Sequence, residues 1–123
     1  MELYQVYNNM VQFNDTIILN KQWEIRYMTN KYNGWTNYET WNIKLWIDNE
    51  EYTSDLWTVR ARELLEGGEE NPVYTLHNEL KEWVDDNNPL IDSASMYTDL
   101  LGAAISSANF YEIAEAFIDS VKE

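Results

Sequence analysis

Helix-start signals recur at position 36, at 53 or 54, and at 71, 93 and 109. Punctuation this dense admits only short helices joined by short turns. Thr36-Asn37-Tyr38-Glu39 reads as a capping box, with the Thr36 hydroxyl and Glu39 carboxylate satisfying amides of the first turn. The helix it opens is expected to run to about Asn49, and Tyr38, Trp41, Leu45 and either Trp46 or Ile47 fill more than one face. That pattern predicts a central, largely buried element. Glu50-Glu51-Tyr52 reads as a loop, Thr53 or Ser54 as the cap of a second helix, and Gly67-Gly68 as its stop. Its narrow apolar stripe is Leu56, Val59 or Arg60, Glu63 and Leu64.

Asn71 caps a third helix with Pro72 at its first position, where a missing amide is harmless. Val73, Leu76, Leu80, Trp83 and Val84 form its stripe, and Asp85-Asp86-Asn87-Asn88-Pro89 stops it. A fourth helix is expected from about Ser93 to Ser107, with Met96, Leu100, Ala103 or Ala104 and Ser107 on the side that meets a neighbour, where Gly102 permits close approach. The fifth opens on a capping box, Asn109 to Glu112, and carries the stripe Phe110, Ile113, Ala114, Phe117 and Val121.

Residues 1–27 have a different period. Thr16 to Leu19, the pair Asn20-Lys21, and Gln22 to Tyr27, where Trp23, Ile25 and Tyr27 alternate with polar residues, read as a β-hairpin. Leu3 to Tyr7 is a third strand or a short helix. The expected fold is therefore mainly α: a compact bundle of about five helices, residues 28–123, preceded by a β-hairpin-like element over residues 1–27.

Charge is distributed unevenly. Through Ile47 the chain carries four acids and four bases; from Asp48 onward it carries 18 acids against Arg60, Arg62, Lys81 and Lys122, so the net charge of −14 lies entirely in the second part. Such a field repels nucleic-acid phosphates and anionic lipid and attracts basic protein surfaces, while also keeping a small protein soluble. The 18 aromatic residues, six of them Trp, supply apolar area that disordered chains lack. The absence of cysteine excludes disulfide scaffolds and thiol chemistry. No apolar run reaches the ~18 to 20 residues of a membrane span, and Met1 to Gln5 lacks the basic head of a signal peptide, which predicts a cytoplasmic protein.

Catalytic groupings are not evident. His77 is the single histidine and is expected on the wet face of its helix. Neither Asp48-Asn49-Glu50-Glu51 nor Asp85-Asp86-Asn87-Asn88 has the glycine and distal Glu of a calcium loop. Gly67-Gly68 lacks the preceding strand and following lysine of a phosphate cradle. The carboxylates lie on exposed faces without an apolar pocket to separate their pKa values. The sequence predicts no enzyme, no metal and no cofactor. Trp35, Trp41, Trp46, Trp57 and Trp83 read most simply as core, but Tyr32 and Trp35 lie in a polar connector where exposure is open to them, and exposed aromatics beside acids serve as interface anchors.

The run Tyr32-Asn33-Gly34-Trp35-Thr36-Asn37-Tyr38-Glu39-Thr40-Trp41-Asn42, continuing through Ile43-Lys44-Leu45-Trp46-Ile47-Asp48-Asn49, with Asn88-Pro89-Leu90, Tyr97 to Ala104 and Ile113-Ala114 further on, resembles a family of small acidic proteins encoded by bacteriophages and other mobile elements, catalogued as a domain of unknown function. The resemblance covers Met28 to about Val121 and implies a mobile-element context, in which small acidic proteins are often inhibitors of host defence. Family members commonly carry a small residue where Lys44 stands. Trp23-Glu24 must be encoded TGG-GAR, the purine core of a ribosome-binding site, three codons before Met28. Met28 is therefore a candidate start and residues 1–27 a leader or optional extension; a peptide spanning Tyr27 and Met28 at full abundance in the native protein would exclude this.

Two functions are expected from these readings. The first is a non-catalytic inhibitor of a host nucleic-acid-binding defence complex, such as a CRISPR effector or restriction enzyme, whose basic groove is filled by acids imitating phosphates. The partner-binding residues would be Glu50, Glu51, Glu63, Glu66, Glu69, Glu70, Glu79, Glu82, Asp85 and Asp86, with Tyr32 and Trp35 as anchors and no direct contact with nucleic acid or membrane. The second is an adaptor that binds a host or phage protein through its aromatics. Homodimerisation through the fifth helix or the hairpin edge is open to either.

Overall fold

In the computed structural model, which describes residues 31–123, the described residues form five α-helices. They are α1 (Tyr38–Asn49), α2 (Glu51–Glu66), α3 (Pro72–Asp86), α4 (Met96–Ser107) and α5 (Phe110–Val121). The expected N-terminal hairpin lies outside the described residues. The helix-rich part is thus mainly α, as the capping signals require.

The unit Tyr32–Glu123 is built on α5. Phe110, Ile113, Ala114, Phe117 and Ile118 are all buried, at the spacing of one helix face. Against them lie Leu76 and Leu80 of α3 and Trp57, Ala61 and Leu64 of α2. Ala61 and Ala114 are completely buried, small residues that let helix axes approach closely. The apolar face of α5 is thereby packed against α2 and α3 of the same unit.

Two expected faces are rotated. On α2 the buried residues are Trp57, Ala61 and Leu64, whereas Leu56 and Val59 are exposed. The two alternative stripes are one residue apart, and the one combining a large indole with a small alanine seats against α5. On α4 no residue is buried; Met96 and Leu100, expected to face a neighbour, are 63% and 62% exposed. Leu101, Ala104 and Ile105 turn inward instead, and α4 approaches α1 alone among the helices.

Nor is α1 largely buried. Only Thr40 and Ile47 are, while Trp46 is 62% and Tyr38 49% exposed, so Trp46 is not core. Lys44 lies on the inner side, its Nζ 4.6 Å from the centre of the Phe117 ring and 2.6 Å from Asp48 Oδ2. Its stem covers apolar surface while its charge is held by a ring face and a carboxylate. Helix α2 begins earlier than expected, since Glu51 and Tyr52 are helical and Glu50 is its N-cap residue. The Thr53 hydroxyl donates to Ile47 O at 2.7 Å and to Glu50 O at 3.2 Å and joins α1 to α2, rather than capping α2. The chain leaves α2 through Gly68, at φ +75°, a conformation in which a Cβ would be strained.

The capping of α1 also departs from expectation. The cap is Asn37, not Thr36: its Oδ1 accepts from Thr40 N at 3.0 Å and from the Thr40 hydroxyl. Thr36 is thereby released for bonds across the molecule. Its amide donates to Glu112 Oε1 at 2.9 Å, and its hydroxyl accepts from Asn109 Nδ2 at 3.1 Å. Asn109 N donates to the buried Thr40 Oγ1 at 2.8 Å, and Asn37 Nδ2 to Ser107 O at 2.7 Å. Asn109 caps α5 as expected, accepting from Glu112 N at 3.0 Å. The start of α1, the end of α4 and the start of α5 therefore share one polar clasp, in which each cap completes another.

Candidate functional site

The most specific stretch of the sequence turns out to be architectural. Asn33 and Gly34, at φ 47° and 87°, form a two-residue turn with both central residues at positive φ, as Asn-Gly favours. Tyr32 and Trp35 exchange backbone hydrogen bonds of 2.8 Å across it. The turn directs Trp35 onto the core, so Trp35 is a half-buried packing residue. Tyr32, 40% exposed, joins Tyr38 and Trp41 in a three-ring cluster with centroids 5.0 to 5.5 Å apart. Thr36, Asn37 and Thr40 belong to the clasp.

The acids are distributed along two helices. Glu50 and Glu51 lie at the start of α2, where a carboxylate complements the helix dipole. Glu63 and Glu79 are drawn together by Arg60, which forks onto Glu79 with Nε and Nη2 at 2.8 Å each and reaches Glu63 at 3.3 Å. Hydrogen bonding to Glu79 raises the Arg60 guanidinium pKa above its ordinary value, against a smaller opposing effect of desolvation. All three side chains are more than a third exposed or close to it, so solvent screens the triad. Glu66 lies in the last turn of α2, and Glu69 and Glu70 in the α2–α3 turn, where Glu69 Oε2 accepts from the Thr75 hydroxyl at 3.0 Å. Glu82, Asp85 and Asp86 are exposed near the end of α3. Fifteen residues of α3 at ~1.5 Å each keep Glu70 and Asp86 roughly 20 Å apart, so these acids form a band and not a single cluster.

Helix α3 ends in Asp85-Asp86 with no basic residue in its last turn. Carboxylates at the negative end of a helix dipole destabilise it by about 0.3–1 kcal/mol each when exposed. The fold tolerates this electrostatic conflict without a compensating base in that turn.

Three clefts open around one residue, Trp83. About 390 Å3 lies between α1, the end of α3 and α4; about 500 Å3 between α2 and α3; and about 310 Å3 beside Trp46 and Glu50. Trp83 lines all three and meets Trp57 edge to face, centroids 5.7 Å apart at 76°. The sequence places Trp83 in the core; it is half-buried, and its role as a common wall was missed because a helix stripe does not reveal where neighbouring helices diverge. His77 also differs from expectation. It is half-buried between Tyr74 and Tyr111, with ring centroids at 5.6 and 6.0 Å, and its Nδ1 is buried without a hydrogen-bond partner. Among the described residues no group of three or more His, Cys, Asp or Glu is placed to hold a metal ion, and no helix is long and apolar enough to cross a membrane.

Together these features define a small, acidic, all-helical unit with an apolar crease among its first three helices. The chain belongs to a family of unknown function, DUF7249, whose model matches residues 28–118. Comparison with curated proteins and with solved structures gives no match.

Proposed function

We propose that this protein is a non-catalytic inhibitor of a host nucleic-acid-binding defence complex, of the anti-CRISPR or anti-restriction type. Its acidic band occupies a basic groove in place of phosphates. The observation that carries the reading is the accumulation of Glu82, Asp85 and Asp86 at the end of α3, where the helix dipole disfavours them; none of the five helices has a base in its last turn to offset such charge. Local rules are broken where function requires it, and a basic partner would relieve this conflict on binding. Supply of positive charge from within is small. The described residues hold 19 acids and six bases, and Lys44, Arg60 and Lys122 are already engaged by neighbouring carboxylates.

Charge complementarity of this kind gives fast, salt-sensitive association. Affinity capture from host lysate at low and at high salt, with mass spectrometry of the retained proteins, tests the reading. A basic nuclease or effector released by high salt is the expected result. Reversing Glu69-Glu70 and Asp85-Asp86 weakens that capture more than reversing Asp15 and Glu24; equal effects count against it.

The exposed Tyr52, Leu56 and Val59 favour a second reading, an adaptor whose contact is mainly apolar. Binding of that kind persists at ~0.5 M salt, where screening acts within a few ångströms. Trp35 is a poor probe for it, since truncating a residue packed on the core tests folding as well as binding.

A further inference from the structure

We propose that the crease between α2 and α3 is a docking groove for a short amphipathic helix of a partner protein, one that carries apolar side chains on one face and Lys or Arg along its flanks. The proposal rests on the acidic-surface reading above and adds to it the place and the form of the contact.

The groove, about 500 Å3, is floored by Leu56, Trp57, Val59 and Trp83 and bordered by Asp55, Glu63 and Glu79. Tyr52, 73% exposed, stands among the residues lining it, and Leu56 and Val59 are 37% and 47% exposed. Tyr52, Leu56 and Val59 follow one another at helical spacing on α2, an apolar stripe that no element of the described fold covers.

The occupant follows from chemistry. The walls are helices, whose backbone amides are paired internally, so an extended peptide would find no ladder to join, whereas a helix brings its own backbone bonds already made. The border is acidic, so the complementary flank is basic. Its one cation, Arg60, is held by Glu79 and Glu63, and Glu63, on the longer 3.3 Å contact and 58% exposed, is the carboxylate most readily shared with an incoming base. A second copy of this chain is disfavoured, since it would bring another net charge of −14 to an acidic border.

Two end-labelled synthetic helices test the groove by fluorescence anisotropy at physiological salt with the full chain: one with leucine on one face and lysine elsewhere, and one with every leucine replaced by alanine. The leucine peptide is expected to bind at least tenfold tighter. The double variant Leu56→Glu, Val59→Glu should weaken it at least tenfold despite two added negative charges, while the alanine peptide binds the variant no less well. Tyr52→Glu, at a more exposed position, should act in the same direction, and circular dichroism verifies that both variants are folded. Equal binding of the two peptides, or undiminished binding of the leucine peptide to the variants, overturns the groove while leaving the acidic-surface reading standing. Failure of both peptides to bind the unmodified protein overturns that reading and the groove with it.

Discussion

Helices α4 and α5 are each twelve residues long and similar in apolar content, yet α5 contributes five buried residues and α4 none. In α5 the large apolar groups fall at positions 110, 113, 117 and 118, with Tyr111, Glu112 and Glu115 between them and Asp119 directly after. Every rotation but one would bury a charge or expose a ring. In α4 the sequence Met96-Tyr97-Thr98-Asp99-Leu100-Leu101-Gly102-Ala103-Ala104-Ile105 is apolar or small on nearly every side. No rotation is strongly preferred by burial, and a long-range polar bond at the C-terminal end, from Asn37 Nδ2 to Ser107 O, ties α4 to the start of α1. Apolar content determines how much a helix can bury; its arrangement determines whether the helix does so.

The largest effect expected from this contrast is at Phe117. Phe117→Ala empties a core site and removes the ring beneath Lys44, lowering stability by about 3–5 kcal/mol in urea unfolding followed by circular dichroism. A loss no greater than that of Leu100→Ala would break the comparison. Next comes Thr40→Val, isosteric but lacking the oxygen that accepts from Asn109 N. A buried amide left unpaired destabilises by ~1–3 kcal/mol, and hydrogen exchange at Asn109 should accelerate. Glu79→Gln removes one charge from the half-exposed Arg60 triad and should cost about 0.5–1 kcal/mol at low salt, less as salt rises. Leu100→Ala on α4 should change stability by no more than roughly 0.5 kcal/mol. A loss above ~2 kcal/mol there would show that something covers α4 in solution and would sharpen the question of what does.

The sequence was legible where chemistry is local. The Asn109 cap, Pro72 at the first position of α3, the Gly67-Gly68 stop and the α3 and α5 stripes all depend on residues within a turn of one another. The inward faces of α2 and α4 were not legible, because each offers two apolar stripes a residue apart and the choice belongs to the neighbouring helix. Thr36 misled for a related reason: Thr-x-x-Glu fits a capping box, but Asn37 could cap α1 equally well and left Thr36 to serve α5. Of the candidate site, the acids were readable as surface by type alone, whereas the Arg60 fork arises from α2 and α3 packing 19 residues apart in the chain and the clefts at Trp83 from the places where α1, α2 and α4 diverge from α3. The enclosure of Trp35 follows from the turn at Asn33-Gly34, whose consequence for the next side chain is geometric and not compositional.

The clasp also imposes an order of events during synthesis. Its two halves are separated by 69 to 76 residues, so the Thr36 amide and Thr40 hydroxyl leave the ribosome long before their partners exist. At ~5–20 residues per second, that interval is roughly 4 to 15 s. Throughout it the first helix has water where Asn109 and Glu112 will sit, and the nascent domain can close only when its last helix arrives.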